Sequence, residues 1–226
     1  MIKAIVTDIE GTTSSLSFVH DVLFPYAREH MAEFVRCHAE APAVVSHLND
    51  VQLEAGADLS LDGIIELLLD WIAQDKKITP LKALQGMVWE AGFKDGDFTG
   101  HVYDDAVEYL NKWHAQGIRL YVFSSGSVKA QQLLFGFSDA GDLTPLFSGY
   151  FDTRIGNKRE TGAYKAIASE IGLPAADILF LSDIKEELDA AKATGMQTVW
   201  LVRDSEPDAT AAHHQVKDFS QIMFDE

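Results

Sequence analysis

The chain opens with a short apolar run, Ala4-Ile5-Val6, which stops at two carboxylates, Asp8 and Glu10, followed by Gly11. A run this short, partly β-branched and ended by a breaker, predicts a buried strand. The period then changes. From Phe18 onward apolar positions recur three and four residues apart: over residues 18–24, over 26–38 behind Pro25 in a first turn, and over 42–55. Residues 61–73 give the strongest helical pattern, with Ile64, Ile65, Leu68, Leu69 and Ile72 on one face. Thr79-Pro80 reads as an N-cap and first-turn proline for a further helix, lined by Leu81, Leu84, Val88 and Ala91 and stopped at Gly92. No strand pattern interrupts residues 19–93, so they read as one helical block.

Beyond Gly100 the two periods alternate. Helices are expected over 102–116, 128–135, 164–171 and 185–194, with Gly117, Gly172 and Gly195 as stops; strands are expected over 118–123, 150–151, 178–181 and 198–202. Strands alternating with helices imply a parallel sheet covered on both faces. The expected fold class is α/β: a Rossmann-like parallel sheet core built from residues 1–16 and 100–226, with residues 17–99 inserted after the first strand.

Charge narrows the function. Against 18 lysines and arginines stand 35 aspartates and glutamates, a net charge of −17, which repels polynucleotides and anionic lipid surfaces. A small anionic substrate stays compatible, because a divalent cation and a few placed donors reverse the sign locally. The longest apolar stretch, residues 64–72, carries Glu66 and Asp70 and is too short to span a bilayer. Asp8 interrupts the opening run too early for a signal peptide, so the cytoplasm is the expected compartment. The single cysteine, Cys37, has no internal disulfide partner and is expected to be a small buried residue on a helix. His213-His214 lies in a polar stretch without partner ligands and reads as surface, not zinc.

Three expected strands end in polar groups: Asp8 with Glu10, Ser124 with Ser125, and Asp183. A fourth segment, Gly156-Asn157-Lys158, brings a cation just before a helix. In open α/β sheets ligands bind beyond the carboxyl ends of the strands, so these groups share one crevice. Two carboxylates from separate strands suit magnesium, hydroxyls and N–H groups at a helix start suit phosphoryl oxygens, and a lysine supplies further positive charge. Those are the requirements for phosphoryl transfer to a carboxylate.

The residues that carry these roles resemble the haloacid dehalogenase-like phosphohydrolases, and more closely the enolase-phosphatases (acireductone synthases) of methionine salvage. The matching stretches are Asp8-Ile9-Glu10-Gly11-Thr12-Thr13, Phe24-Pro25-Tyr26, Leu84-Gln85-Gly86 with Trp89, Ser124-Ser125-Gly126-Ser127-Val128, Leu134-Phe135-Gly136, Phe151-Asp152-Thr153, Gly156 with Lys158, and Ile178 to Asp183 with Glu187. The resemblance implies that the inserted block is a helical cap and that Asp8 is the nucleophile. It implies Glu10 as acid/base, coordinating metal through its backbone carbonyl, and Ser124 and Ser125 as substrate-binding residues. Lys158 would neutralise charge beside Asp8, Asp183 would complete a site for one Mg2+ per chain, and Glu187 would orient Asp183 or a metal-bound water. The implied reaction is enolisation and dephosphorylation of 2,3-diketo-5-methylthiopentyl 1-phosphate to acireductone (1,2-dihydroxy-3-keto-5-methylthiopentene) and phosphate, by a monomer.

The competing expectation within enzymes is a general small-molecule phosphatase, sugar-phosphate-like in its substrates, on the same core. A dehalogenase would leave Glu10 and Asp183 without purpose, and receiver-type signalling modules lack a helical insertion. Phe18, Phe24, Tyr26, Met87 and Trp89 read first as core of the helical block, with the Leu84-Gln85-Gly86 helix the candidate apolar wall for a thioether.

Overall fold

The computed structural model describes residues 1–224. The chain falls into two compact units: Met1–Leu16 together with the chain from Thr99 onward, and Ser17–Phe98. Strand β1, Ala4–Thr7, is buried along its whole length. A single helical turn, α1 (Leu16–Phe18), follows, and a π-turn over Val19–Leu23 runs without a break into α2 (Phe24–His38). Pro25 sits in the first turn of α2, yet the helix before it does not end. Phe24 N–H bonds five residues back to Val19 O. That wider turn relieves the crowding a proline ring imposes on the preceding turn.

Helices α3 (Pro42–Ala55), α4 (Leu61–Ala73) and α5 (Thr79–Asp95) complete the second unit. Their apolar faces enclose Met31, Val35, Val51, Leu68, Leu81 and Leu84. On α4 the buried face is Ile64, Ile65, Leu68 and Trp71, with Leu69 and Ile72 at its margin. Two expectations about α5 are corrected. Its N-cap is Ile78 and not Thr79, and Gly92 does not stop it. A Cβ at Gly92 would lie 2.5 Å from a Phe98 ring carbon and 2.7 Å from one of Tyr26, so this glycine makes room for two rings. Cys37 is exposed and not buried. Ala27, Met31 and Val35 define the inward face of α2, and a residue two positions past Val35 points about 200° away from it.

In the first unit the order continues with α6 (Asp104–Ala115), β2 (Arg119–Phe123), α7 (Val128–Gly136), β3 (Phe147–Phe151), α8 (Thr161–Ile171), β4 (Ile178–Ser182), α9 (Lys185–Lys192), β5 (Gln197–Leu201) and β6 (His214–Val216). The six strands form one sheet in the order β3-β2-β1-β4-β5-β6, and every pairing is parallel. Val6, Phe123 and Phe180 pack with Tyr164 of α8 and Leu188 of α9 into a cluster on one face. Burying aromatic side chains of this size contributes about 2–3 kcal/mol each, which keeps the central strands rigid. Strand β6 was not expected: three residues are too few to show a period. His213, expected at the surface, is 5% exposed. Its Nδ1 lies 2.8 Å from Thr198 Oγ1 and its Nε2 2.9 Å from Asp189 Oδ1, partners that make burial of the ring affordable. Among the described residues no helix is long and apolar enough to cross a membrane.

Candidate active site

The order of the sheet reverses at β1, which has β2 on one side and β4 on the other. The crevice at the carboxyl ends of these strands is where an open α/β sheet takes its ligand. Asp8 follows β1 directly and is 3% exposed. Its Oδ1 accepts the Ile9 N–H at 2.8 Å and lies 2.7 Å from Lys158 Nζ. The same amine lies 2.8 Å from Glu187 Oε2 and 5.6 Å from the centre of the Phe123 ring. Burial works against the charge on Lys158, but Asp8 and Glu187 outweigh it and hold its pKa above the usual lysine range. The Lys158 carbonyl accepts the Tyr164 O–H at 2.7 Å, so backbone and amine are both anchored.

Glu187 was expected to orient Asp183 or a metal-bound water. Its hydrogen bonds run instead to Lys158 and to Ser182 Oγ, 3.1 Å away, which places it as a partner of the amine. Burial and the nearby Asp8 charge push Glu187 up to about 7, against the pull of Lys158. Ser182, the last residue of β4, also lies 3.4 Å from Asp8 Oδ2 and accepts the Ile184 N–H at 3.1 Å. In the sequence Ser182 reads only as the end of a strand, and a hydroxyl immediately before Asp183 is the one signal of its role.

Asp183 is raised to about 7, first by burial and then by the charge of Asp8. Its carbonyl accepts the Trp200 indole N–H at 2.8 Å. Glu10 is also raised, by burial and then by Asp8, and Ser124 Oγ is its hydrogen-bond partner at 3.4 Å. Ser124 is fully buried and accepts the Gly126 N–H at 3.1 Å. Ser125 is exposed, and with Thr153, Asn157, Lys158, Arg159 and Glu187 it lines a recess of about 400 Å3.

The loop after Asp8 is tightly wound. Ile9 O accepts the N–H groups of Thr12, Thr13 and Ser14, and Thr13 Oγ1 donates to Asp8 O at 3.1 Å. Gly11 has φ +73°, and a Cβ there would lie 2.2 Å from Asp183 Oδ2. Two supporting residues carry no role in the sequence pattern, although Asp152 lies in a matching stretch. Buried Asp152 accepts the Val128 N–H at the start of α7 and is paired with Arg154. Arg203 Nε donates to Thr12 O at 2.9 Å, a contact across most of the chain that leaves no local trace in the sequence.

Among the described residues no three His, Cys, Asp or Glu side chains are gathered to hold an ion. Glu10, expected to join Asp8 and Asp183 in a metal set through its backbone carbonyl, turns its carboxylate to Ser124. A donor set of two aspartates and a backbone carbonyl still fits magnesium, which binds few protein oxygens and keeps its other positions for water and phosphate. Asp183 Oδ1 is buried without a hydrogen-bond partner, an orphan acceptor that a cation would satisfy.

A parallel sheet with a lysine-paired aspartate at its switch point defines a haloacid dehalogenase-like hydrolase, and the model of that family matches residues 2–195. Two relatives are much nearer. The chain is 62% identical to "Enolase-phosphatase E1" of Methylococcus capsulatus, covering 98% of both chains, and 61% identical to the protein of that name from Pseudomonas syringae pv. syringae, covering 98% of this chain and 97% of the other. The crystal structure of the UTR4 protein of Saccharomyces cerevisiae superposes with a TM-score of 0.84 at 32% identity, over 98% of this chain and 100% of that one. The chain belongs to the haloacid dehalogenase-like hydrolases and, within them, to the enolase-phosphatase family.

Proposed function

We propose that the chain is a magnesium-dependent enolase-phosphatase that converts 2,3-diketo-5-methylthiopentyl 1-phosphate to acireductone and phosphate in methionine salvage. The near relatives' shared name supports the substrate, and the 2.7 Å pair of Lys158 with Asp8 at the sheet's switch point is the observation that carries the chemistry. Asp8, Asp183 and the Glu10 carbonyl would hold the ion. Bound there, magnesium would neutralise phosphoryl charge and stabilise the enolate formed when the phosphate-bearing carbon loses a proton.

Asp8 attacks phosphorus; a P–O bond to the carboxylate forms as the P–O bond to the enol breaks. Lys158 screens the approach of one anion to another and holds the carboxylate aimed. Glu10 gives its proton to the departing enol oxygen, which the raised pKa equips it to do. As an anion it then takes a proton from water, which attacks the acyl phosphate, frees inorganic phosphate and restores Asp8. Ser124 aims Glu10 and Ser125 meets the phosphoryl oxygens from the recess.

The test supplies the diketo phosphate with magnesium or with a chelator and follows phosphate and the ultraviolet absorbance of the enediol. Both products should appear together and only with the metal. Asp8→Asn should abolish both while leaving the melting temperature within a few degrees. Release of phosphate from many monoesters without the enediol would replace this reading with that of a general phosphatase.

A further inference from the structure

The recess contains a charge problem that Lys158 does not solve. Its amine sits between Asp8 and Glu187, 2.7 and 2.8 Å away, so its charge is already engaged by two carboxyl groups. The chain around it carries a net charge of −17. A phosphate monoester is itself close to a dianion at neutral pH and approaches against this field. The nearby Arg154 is committed to Asp152, with Nε 2.9 Å and a terminal nitrogen 2.9 Å from its carboxylate oxygens.

Arg159 is different. It lines the same recess as Lys158 and Ser125 and is exposed, and among the described residues no carboxylate lies within ion-pair distance of it. Its backbone is fixed: the Arg159 N–H donates to Asn157 Oδ1 at 2.9 Å, and the Glu160 N–H donates to Asn157 O at 2.9 Å. It follows directly on Lys158, whose carbonyl is held by Tyr164. A guanidinium offers two parallel N–H groups that match a pair of phosphoryl oxygens.

We propose that Arg159 is the substrate-capture residue: it draws the phosphate dianion into the recess and holds it equally before and during transfer. The inference rests on the phosphatase reading but not on which monoester is the substrate. An interaction of equal strength in ground and transition states changes KM and leaves kcat alone. The test compares Arg159→Gln and Arg159→Lys with the wild type in steady-state turnover across a salt series. Binding of inorganic phosphate to the magnesium-loaded full chain is measured by calorimetry alongside.

Arg159→Gln should raise KM about five- to tenfold, as expected for a partly solvated charge contact, with kcat within twofold and phosphate affinity reduced by a similar factor. The fall of kcat/KM with added salt should flatten in that variant. Arg159→Lys should regain the salt dependence but only part of the affinity, because a point charge lacks the fork. Wild-type KM and phosphate affinity in Arg159→Gln would overturn the proposal, as would a fall in kcat matching any rise in KM. Should the diketo phosphate prove inert while phosphate binding still depends on Arg159, the substrate assignment falls and this proposal stands.

Discussion

Gly11 meets two constraints at once. Its φ of +73° disfavours any side chain, and a methyl group would occupy the space of the Asp183 carboxylate. Gly11→Ala should therefore displace Asp183 by something near an ångström and lower kcat/KM about a hundredfold. Steady-state kinetics checks the loss, and a melting curve should show a smaller effect, about 1–2 kcal/mol from the backbone. At this scale the sequence was informative where chemistry coincides with a strand end. Asp8, Glu10, Ser124 and Asp183 were legible because an apolar run followed by a polar group marks the carboxyl end of a buried strand. The alliance of Glu187 with Lys158 was not, since it depends on which face of α9 turns toward the sheet.

Among elements, the clearest lesson is in the glycines. Gly56, Gly117 and Gly172 each follow a helix in the left-handed conformation, the role a stop signal predicts. Gly92 has the same composition cue with another cause, the closeness of Tyr26 and Phe98, which no periodicity reveals. Gly92→Ala tests the distinction. Alanine favours a helix interior by about 1 kcal/mol, whereas forcing a methyl into packed rings costs about 1–3 kcal/mol. The variant should be net destabilised in urea unfolding; a more stable variant would return Gly92 to the role of a weak point in the helix. The alternation of strands and helices after Gly100 was legible for the same reason the sheet is parallel: crossover helices cover both faces, so strands read as nearly continuous apolar runs. Strand β6 was too short to read, and His213 disclosed its burial only through partners distant in sequence.

The sheet-bearing unit is tied together by contacts between parts of the chain far apart in sequence. Arg203 forks onto Asp105 at 3.0 and 2.9 Å, lies 3.8 Å from the centre of the Tyr103 ring and bonds Thr12 O, while Asp105 also accepts the Phe219 N–H at 2.8 Å. Burial alone would raise the Asp105 pKa; the bonds from Arg203 and Phe219 outweigh it and hold the group below its ordinary 3.8. A depressed carboxylate stabilises the fold above the unfolded pKa, and that stabilisation is lost as pH falls through the folded value. Asp105→Asn should cost about 1–3 kcal/mol at pH 7, and the gap from wild type should close below pH 3.8. Urea unfolding at several pH values checks both halves; a gap that is constant with pH would remove the charge from the account.

Two further bonds gather the places where the chain leaves and rejoins the sheet-bearing unit. The Ser15 N–H donates to His101 Nδ1 at 3.1 Å, and the Tyr103 N–H donates to Thr13 O at 2.9 Å. Topologically the ring of backbone is closed before the helical segment starts, and that segment is an excursion between two neighbouring posts. An excursion of another length or helix count can be spliced between them without shifting a rung of the β-ladder. The insert is thus free to change without disturbing the sheet that carries Asp8.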